Sequence, residues 1–233
     1  MTMIKAAVFD LDDTLFDDYT CIEAGLIAVF ARYSCSKIPR INHLMTLYKA
    51  VIDQLLPEFQ CGHISQHQFR TLRFDILFES LGIVGRPGSA AFSEYRAAYL
   101  QARTSIAGAK DLLETLQNRC IKVGILTNHL RSEQLQKLEI CGLTPWIQVL
   151  ITPEDGAHKP HPKAFETVLA ALNVNPAETV MIGDSWENDI LGARAVGMQA
   201  VWFNRWGQAS PLESVPVLHS FQPVEAALKV ILL

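Results

Sequence analysis

Strand-like and helix-like segments alternate from Gly108 to the end of the chain, and this alternation constrains the fold more than any other feature. A helix near 109–119 precedes a strand from Ile121 to Thr127, and a second helix runs to Glu139. The run Ile147 to Thr152 reads as a strand, and Pro162 suits the first position of the helix after it. A strand from Thr179 to Gly183, a helix near 188–196, a strand from Gln199 to Asn204 and a helix from Val224 complete the series. Alternation of this kind predicts a parallel sheet with helices on both faces, joined by right-handed crossovers. One further strand stands far upstream. Residues 4–9 form a short apolar run that ends abruptly in Asp10-Leu11-Asp12-Asp13-Thr14, as a buried strand would if it delivered acidic residues to a loop.

Between Tyr19 and Ala102 the apolar residues follow helical spacing only. Helices are expected at about 19–34, 41–55, 65–81 and 89–102. Breaks fall at Pro39, from Pro57 to Ser65, and from Gly82 to Gly88. The first strand therefore belongs with the second half of the chain. The expectation is one α/β core, residues 1–16 and 104–233, with an all-helical insertion at 17–103.

Composition narrows the function. Of the 233 residues, 49% are hydrophobic and 19% charged, the balance of a folded globular chain. A net charge of -4 and a pI near 6.0 provide no basic field for a nucleic-acid polymer, although a mononucleotide stays open. The five cysteines are scattered, without a C-x-x-C pair, and read as free thiols of the cytoplasm. The start resembles no signal peptide, and no apolar run approaches the ~20 residues that cross a bilayer. Nothing in the sequence bears on oligomeric state.

Four strand ends carry polar groups: Asp10 and Asp12, Thr127 with Asn128, Lys159 in the loop after the third, and Asp184 with Asp189 five residues on. Ligands of open α/β sheets bind at these carboxyl ends, so the groups can converge. Three carboxylates in one pocket need a cation among them, and hard oxygen ligands suit Mg²⁺. A carboxylate can attack phosphorus, and an acid two residues away can protonate the leaving alkoxide and then activate water. A lysine and a threonine hydroxyl can hold phosphoryl oxygens. Singly, each element has a plainer use. Asp12-Asp13-Thr14 suits a helix cap, Thr127-Asn128 a turn, and Lys159 a solvated surface. A calcium loop is excluded, because Leu15 stands where glycine is needed.

Taken together, these segments resemble the haloacid dehalogenase-like (HAD) hydrolases, in the subclass with a helical cap after the first strand. Phe9-Asp10-Leu11-Asp12-Asp13-Thr14-Leu15 matches that family's first motif, and Leu126-Thr127-Asn128 its second. Lys159-Pro160-His161-Pro162 matches the third, and Gly183-Asp184-Ser185-Trp186-Glu187-Asn188-Asp189 the fourth. The resemblance implies a Rossmann-like parallel sheet core with an inserted cap that closes over small substrates.

It also implies Asp10 as nucleophile and metal ligand. Asp12 would be general acid/base and would bind Mg²⁺ through its main-chain carbonyl. Thr127 and the Asn128 amide would bind the phosphoryl group, Lys159 would neutralise charge, Asp184 would ligate Mg²⁺, and Asp189 would support the metal's water shell or Lys159. His161 and the bulky Trp186, which would narrow the pocket, depart from the family pattern. The family's metal-free dehalogenases have an aromatic residue at the position of Asp12, so this acid argues for phosphate esters.

The expected activity is Mg²⁺-dependent hydrolysis of a small phosphomonoester, a sugar phosphate or nucleoside monophosphate, away from membranes. A phosphomutase with the same core residues is the alternative. A phosphoaccepting signalling domain is distant, since its acceptor follows a later strand and lacks the acid two residues beyond. Within the insertion, Arg70 and Arg73 follow the break at 62–65, either as substrate contacts or as solvent-facing residues behind a Ser65 cap. The aromatics at 69, 74 and 78 read as core packing.

Overall fold

A computed structural model describes residues 3–31, 39–212 and 214–232. Cys35 and the expected helical residues 32–34 lie outside that set. The described chain divides into two compact units, one of residues 1–17 and 104–233 and the other of 18–103.

The α/β unit is built on strands β1 (Ala6–Phe9), β2 (Lys122–Leu126), β3 (Val149–Ile151), β4 (Thr179–Gly183), β5 (Gln199–Phe203) and β6 (Val217–Leu218). They pair in parallel in the order β3-β2-β1-β4-β5-β6. The short edge strand β6 was not foreseen; two residues carry too little periodicity to be read. Phe9 stands in register with Ile125 on one side and Ile182 on the other. The chain runs outward from β1 through β2 to β3, then returns to β4 on the opposite side. The strand order thus reverses at β1/β4, the crevice where open α/β sheets bind ligands.

β1 is fully buried, and successive side chains serve opposite faces. Ala6 and Val8 join a core cluster with Leu126, Phe165, Val168, Met181 and Trp202. Phe9 meets the Phe221 ring edge-on at 6.4 Å, and Phe221 stacks on Phe203 at 4.3 Å. Helices α5 (Ala109–Asn118), α6 (Arg131–Ile140), α7 (Pro162–Leu172), α8 (Gly192–Ala195) and α9 (Val224–Ile231) connect or follow the strands. Ahead of α8, residues Trp186–Leu191 form a π-helical turn where an ordinary helix was expected. The Ile190 N–H reaches back five residues to the Ser185 carbonyl, and this widened turn redirects Asp189.

The second unit contains α1 (Asp18–Phe30), α2 (Ile41–Gln60), α3 (Gln66–Ser80) and α4 (Gly88–Gln101), with no strand among its described residues. α2 runs through Pro57, where a break was expected. The proline lies in the last turn and withholds the N–H that would meet the Asp53 carbonyl, yet the helix continues to Gln60 and the Cys61 N–H closes on the Pro57 carbonyl. Tyr48, Phe74, Phe78 and Tyr95 form the centre of this unit. Gly25 lets α1 approach α4, since a Cβ there would lie 2.4 Å from the Tyr95 ring. Ser65 caps α3 reciprocally with Gln68. Arg70 lies over the Phe92 ring and Arg73 over Phe69 and Tyr48.

Within the α/β unit, the two segments that border the insertion are tied together. Phe16 bridges to Ser105, the Asp17 N–H donates to the Thr104 carbonyl at 3.0 Å, and Ile106 N–H donates to Leu15. Arg205, just after β5, grips the Asp17 carboxylate with two nitrogens at 3.1 and 3.2 Å.

Candidate active site

The strand ends bring Asp10, Asp184, Asp189 and Lys159 together. The Asp10 N–H donates to the Ile182 carbonyl, which sets the first loop beside the end of β4. One carboxylate oxygen from each of Asp10, Asp184 and Asp189 lies within 4.8 Å of the others. Asp189 is fully buried and pressed onto Gly183, where a Cβ would stand 2.2 Å from its Oδ2. That oxygen accepts from the Ser185 N–H at 3.0 Å, and Oδ1 faces Lys159. Trp202 Nε1 donates to the Asp184 carbonyl at 2.8 Å and fixes this loop from the neighbouring strand. Trp186 lies edge-on to Trp202 and packs against the core.

Lys159 is buried and donates to Asp10 Oδ1 and Asp189 Oδ1, both at 2.6 Å. Burial alone would strip its proton, but the two carboxylates outweigh that and raise its pKa, so it stays charged. One ammonium does not neutralise three carboxylates. Asp10 is pushed up to about 7, first by burial against the pull of Lys159, then by the charges of Asp189 and Asp12. Asp184 is raised to about 8 by dehydration and by Asp10, Asp189 and Asp13.

Lys159→Met would leave Asp10 and Asp189 buried without a counterion. Removing one partner of a buried ion pair typically costs about 3–5 kcal/mol, so urea unfolding of metal-free protein should show a loss of that order. A midpoint equal to that of wild type would contradict the charge balance described here.

Asn128 holds the lysine loop. Its Nδ2 donates to the Lys159 carbonyl at 2.9 Å, and the Lys159 N–H donates to its Oδ1 at 2.7 Å. Thr127, buried at the end of β2, accepts from the His129 N–H at 3.3 Å and from Gln134 Nε2 at 2.7 Å.

Asp12 faces a different set of partners. Lys137 pairs with its Oδ1, Gln134 Nε2 donates to Oδ2 at 2.8 Å, and His129 Nε2 lies 3.5 Å from Oδ2. Burial would raise this carboxyl, but Lys137, His129 and the hydrogen bonds bring it down to about 2. The sequence reading missed Gln134, Lys137, His129 and Trp202. The available signal was the Gln134–Lys137 spacing of three, which places both on one face of α6 shortly after the Thr127 turn.

These features coincide with similarity to known proteins. Residues 7–203 match the family described as haloacid dehalogenase-like hydrolase. The chain belongs to that family. It is 33% identical to the ribulose-1,5-bisphosphate 5-phosphatase of Halopiger xanaduensis, over 91% of this chain and 90% of the relative. It is 31% identical to the glyceraldehyde 3-phosphate phosphatase of Pyrococcus furiosus, over 91% and 85%. The crystal structure of the HAD-hydrolase YfnB of Bacillus subtilis, bound to magnesium, shares the fold with a TM-score of 0.77, full coverage of both chains and 24% identity. The HAD protein described here is thus an enzyme of the phosphatase type. Among its described residues, no helix is long and apolar enough to cross a membrane.

Proposed function

We propose that this HAD phosphatase hydrolyses small phosphomonoesters, of the sugar phosphate or nucleoside monophosphate class, through an aspartyl phosphate on Asp10. The observation that carries this reading is the surplus of negative charge at the end of β1 and β4, where a phosphate ester would have to approach. Three clustered carboxylate oxygens around a single ammonium suit a hard divalent cation. Asp10, Asp184 and the main-chain carbonyl of Asp12 would hold Mg²⁺, with Asp189 in support through Lys159. When bound, the ion would offset the charge of the phosphoryl group beside Asp10.

The protein's own groups supply the remaining chemistry. Asp10 attacks phosphorus and releases the alkoxide, and Asp12 handles the proton for departure and for the attacking water. Thr127 Oγ1 and the Asn128 N–H bind phosphoryl oxygens, and Lys159 neutralises charge beside the nucleophile. The helical unit, residues 18–103, is assigned as the cap that selects the substrate. The relatives named above act on small sugar phosphates, which supports that class. The described cysteines are not joined in disulfides, in keeping with a place in the cytoplasm.

The direct test is a screen of sugar phosphates, nucleoside monophosphates and small acid phosphates with and without Mg²⁺, measuring free phosphate and isomerised sugar separately. Ester cleavage that is equally fast in a chelator would refute the metal assignment, and isomer without free phosphate would indicate a mutase.

A stability measurement checks the charge balance independently. Asp10 and Asp184 are both raised, so between about pH 4 and 8 the folded protein binds more protons than the unfolded chain. Metal-free protein should therefore lose stability as pH rises through that window. Mg²⁺ at one fixed concentration, a hundredfold above its Kd at pH 8, should raise the melting temperature by about 5–10 °C at pH 8 and by clearly less at pH 5, where protons compete for the carboxylates. Asp184→Ala should lose most of the gain at pH 8. An equal gain at both pH values would contradict the assignment.

A further inference from the structure

Gln134 sits in the interior of the α/β unit, fully buried on the face of α6 that also carries Lys137. Its side-chain nitrogen has two hydrogens, and both are used. One goes to Asp12 Oδ2 at 2.8 Å and the other to Thr127 Oγ1 at 2.7 Å. The carboxylate can only accept, so the amide nitrogen must face it, which fixes the orientation of the whole group. Its Oε1 is buried without a hydrogen-bond partner among the described residues. A methionine or leucine would fill this position without burying an unpaired carbonyl oxygen, so packing alone gives little reason for glutamine here.

The consequence for Thr127 follows from counting lone pairs. A hydroxyl has two acceptor positions and one hydrogen. The Gln134 amide and the His129 N–H occupy the acceptor positions, so the hydrogen must be donated elsewhere. A phosphoryl oxygen offers only acceptors, and a hydroxyl held in this way is prepared to bind it. The same amide steadies the Asp12 carboxylate, whose other oxygen is held by Lys137. The Lys137 ammonium is placed in turn over the buried Phe16 ring at 4.6 Å.

We propose that Gln134, with Lys137 behind it, is a positioning residue that aligns the proton-handling carboxylate of Asp12 and the phosphate-binding hydroxyl of Thr127 through a single NH₂ group. This deepens the phosphatase reading given above and rests on it. Gln134 acts on two different steps, and the two can be measured apart. Thr127 contributes to holding phosphate, whereas Asp12 contributes to departure of the alkoxide.

The experiment compares wild type, Gln134→Met, Lys137→Met, Lys137→Arg, Thr127→Val and the Gln134→Met/Thr127→Val double variant. For each, inhibition by inorganic phosphate is measured, with kcat and KM for 4-nitrophenyl phosphate and for the alkyl phosphate that wild type cleaves fastest. Gln134→Met should weaken inhibition by phosphate on the order of tenfold in the wild-type background. It should have little further effect once Thr127 is valine. It should lower kcat on the alkyl ester by roughly 10²-fold and on the aryl ester by less than about tenfold. Lys137→Met should show the same larger loss on the alkyl ester while leaving inhibition by phosphate near wild type, and Lys137→Arg should restore much of the loss. The two lysine variants report on Asp12 even if Gln134→Met fails to fold.

An additive phosphate effect in the double variant, or equal losses on both esters in Gln134→Met and Lys137→Met, would overturn the proposal while leaving the phosphatase reading intact. A wild type that cleaves neither ester would overturn both.

Discussion

Asp10→Asn is expected to lower turnover of every phosphate ester by at least about 10⁴-fold and to leave no covalently bound phosphate on the protein. The amide keeps the size and the loop geometry of the carboxylate but cannot attack phosphorus. Fold and chemistry should move in opposite directions in this variant. Asp10 is one of three crowded carboxylates and is pushed up to about 7, so removing its charge relieves repulsion. In metal-free buffer at pH 8 the variant should melt at or above the wild-type temperature. Phosphate trapped on the variant by rapid quench, or a large fall in its melting temperature, would show that Asp10 has another role.

The second large effect belongs to Asp12→Asn. General acid–base assistance is typically worth about 10²–10⁴-fold, and turnover of alkyl esters should fall by that amount. Aryl phosphates depart without help, so their first step should survive better. Asp12 is brought down to about 2 by Lys137 and His129 against its burial, so it rests ionised. The proton it passes to a departing alkoxide must arrive with the phosphate monoester, whose negative charge raises this carboxyl as it binds. The ionised form is the one that activates water, and removing it should slow hydrolysis of the phosphoenzyme. Labelled phosphate should then accumulate in rapid-quench experiments with an aryl ester and map to Asp10. Label on any other residue, or equal losses for alkyl and aryl esters, would refute this division of labour.

The parts of the site that were legible in the sequence share a physical cause. Asp10, Thr127 and Asp184 each end an apolar run, and a buried parallel strand has few reasons to end in such a group other than to present it. The sheet was legible for the same reason, since β1 is apolar throughout and β2, β4 and β5 are apolar after a single polar first residue. Gln134 and Lys137 were not legible, because polar residues three apart on a helix ordinarily mark the solvated face. Here that face is turned inward, and burial is set by the loop after β1, more than a hundred positions upstream. The π-helical turn at Trp186–Leu191 was hidden too. Its composition suits an ordinary helix, and the widened turn is accompanied by a bond from the Ser185 N–H to the Asp189 carboxylate that helical spacing does not announce. Pro57 shows the converse, a strong local breaker that α2 nevertheless includes in its last turn.

The pairing of Phe16 and Asp17 with Ser105 and Thr104 has a consequence for how such a chain can change over time. The α/β unit meets residues 18–103 as a single loop whose two ends it has already brought together. The entropic cost of such a loop grows only with the logarithm of its length, by roughly 0.6 kcal/mol per doubling. The sheet is therefore nearly indifferent to how many residues the excursion contains. A lineage could lengthen, shorten or exchange it in one recombination event, with Asp10, Asp12, Thr127, Lys159 and Asp184 left in place. The junction works as a socket, and new specificity can be fitted to old chemistry without refolding the part that carries it.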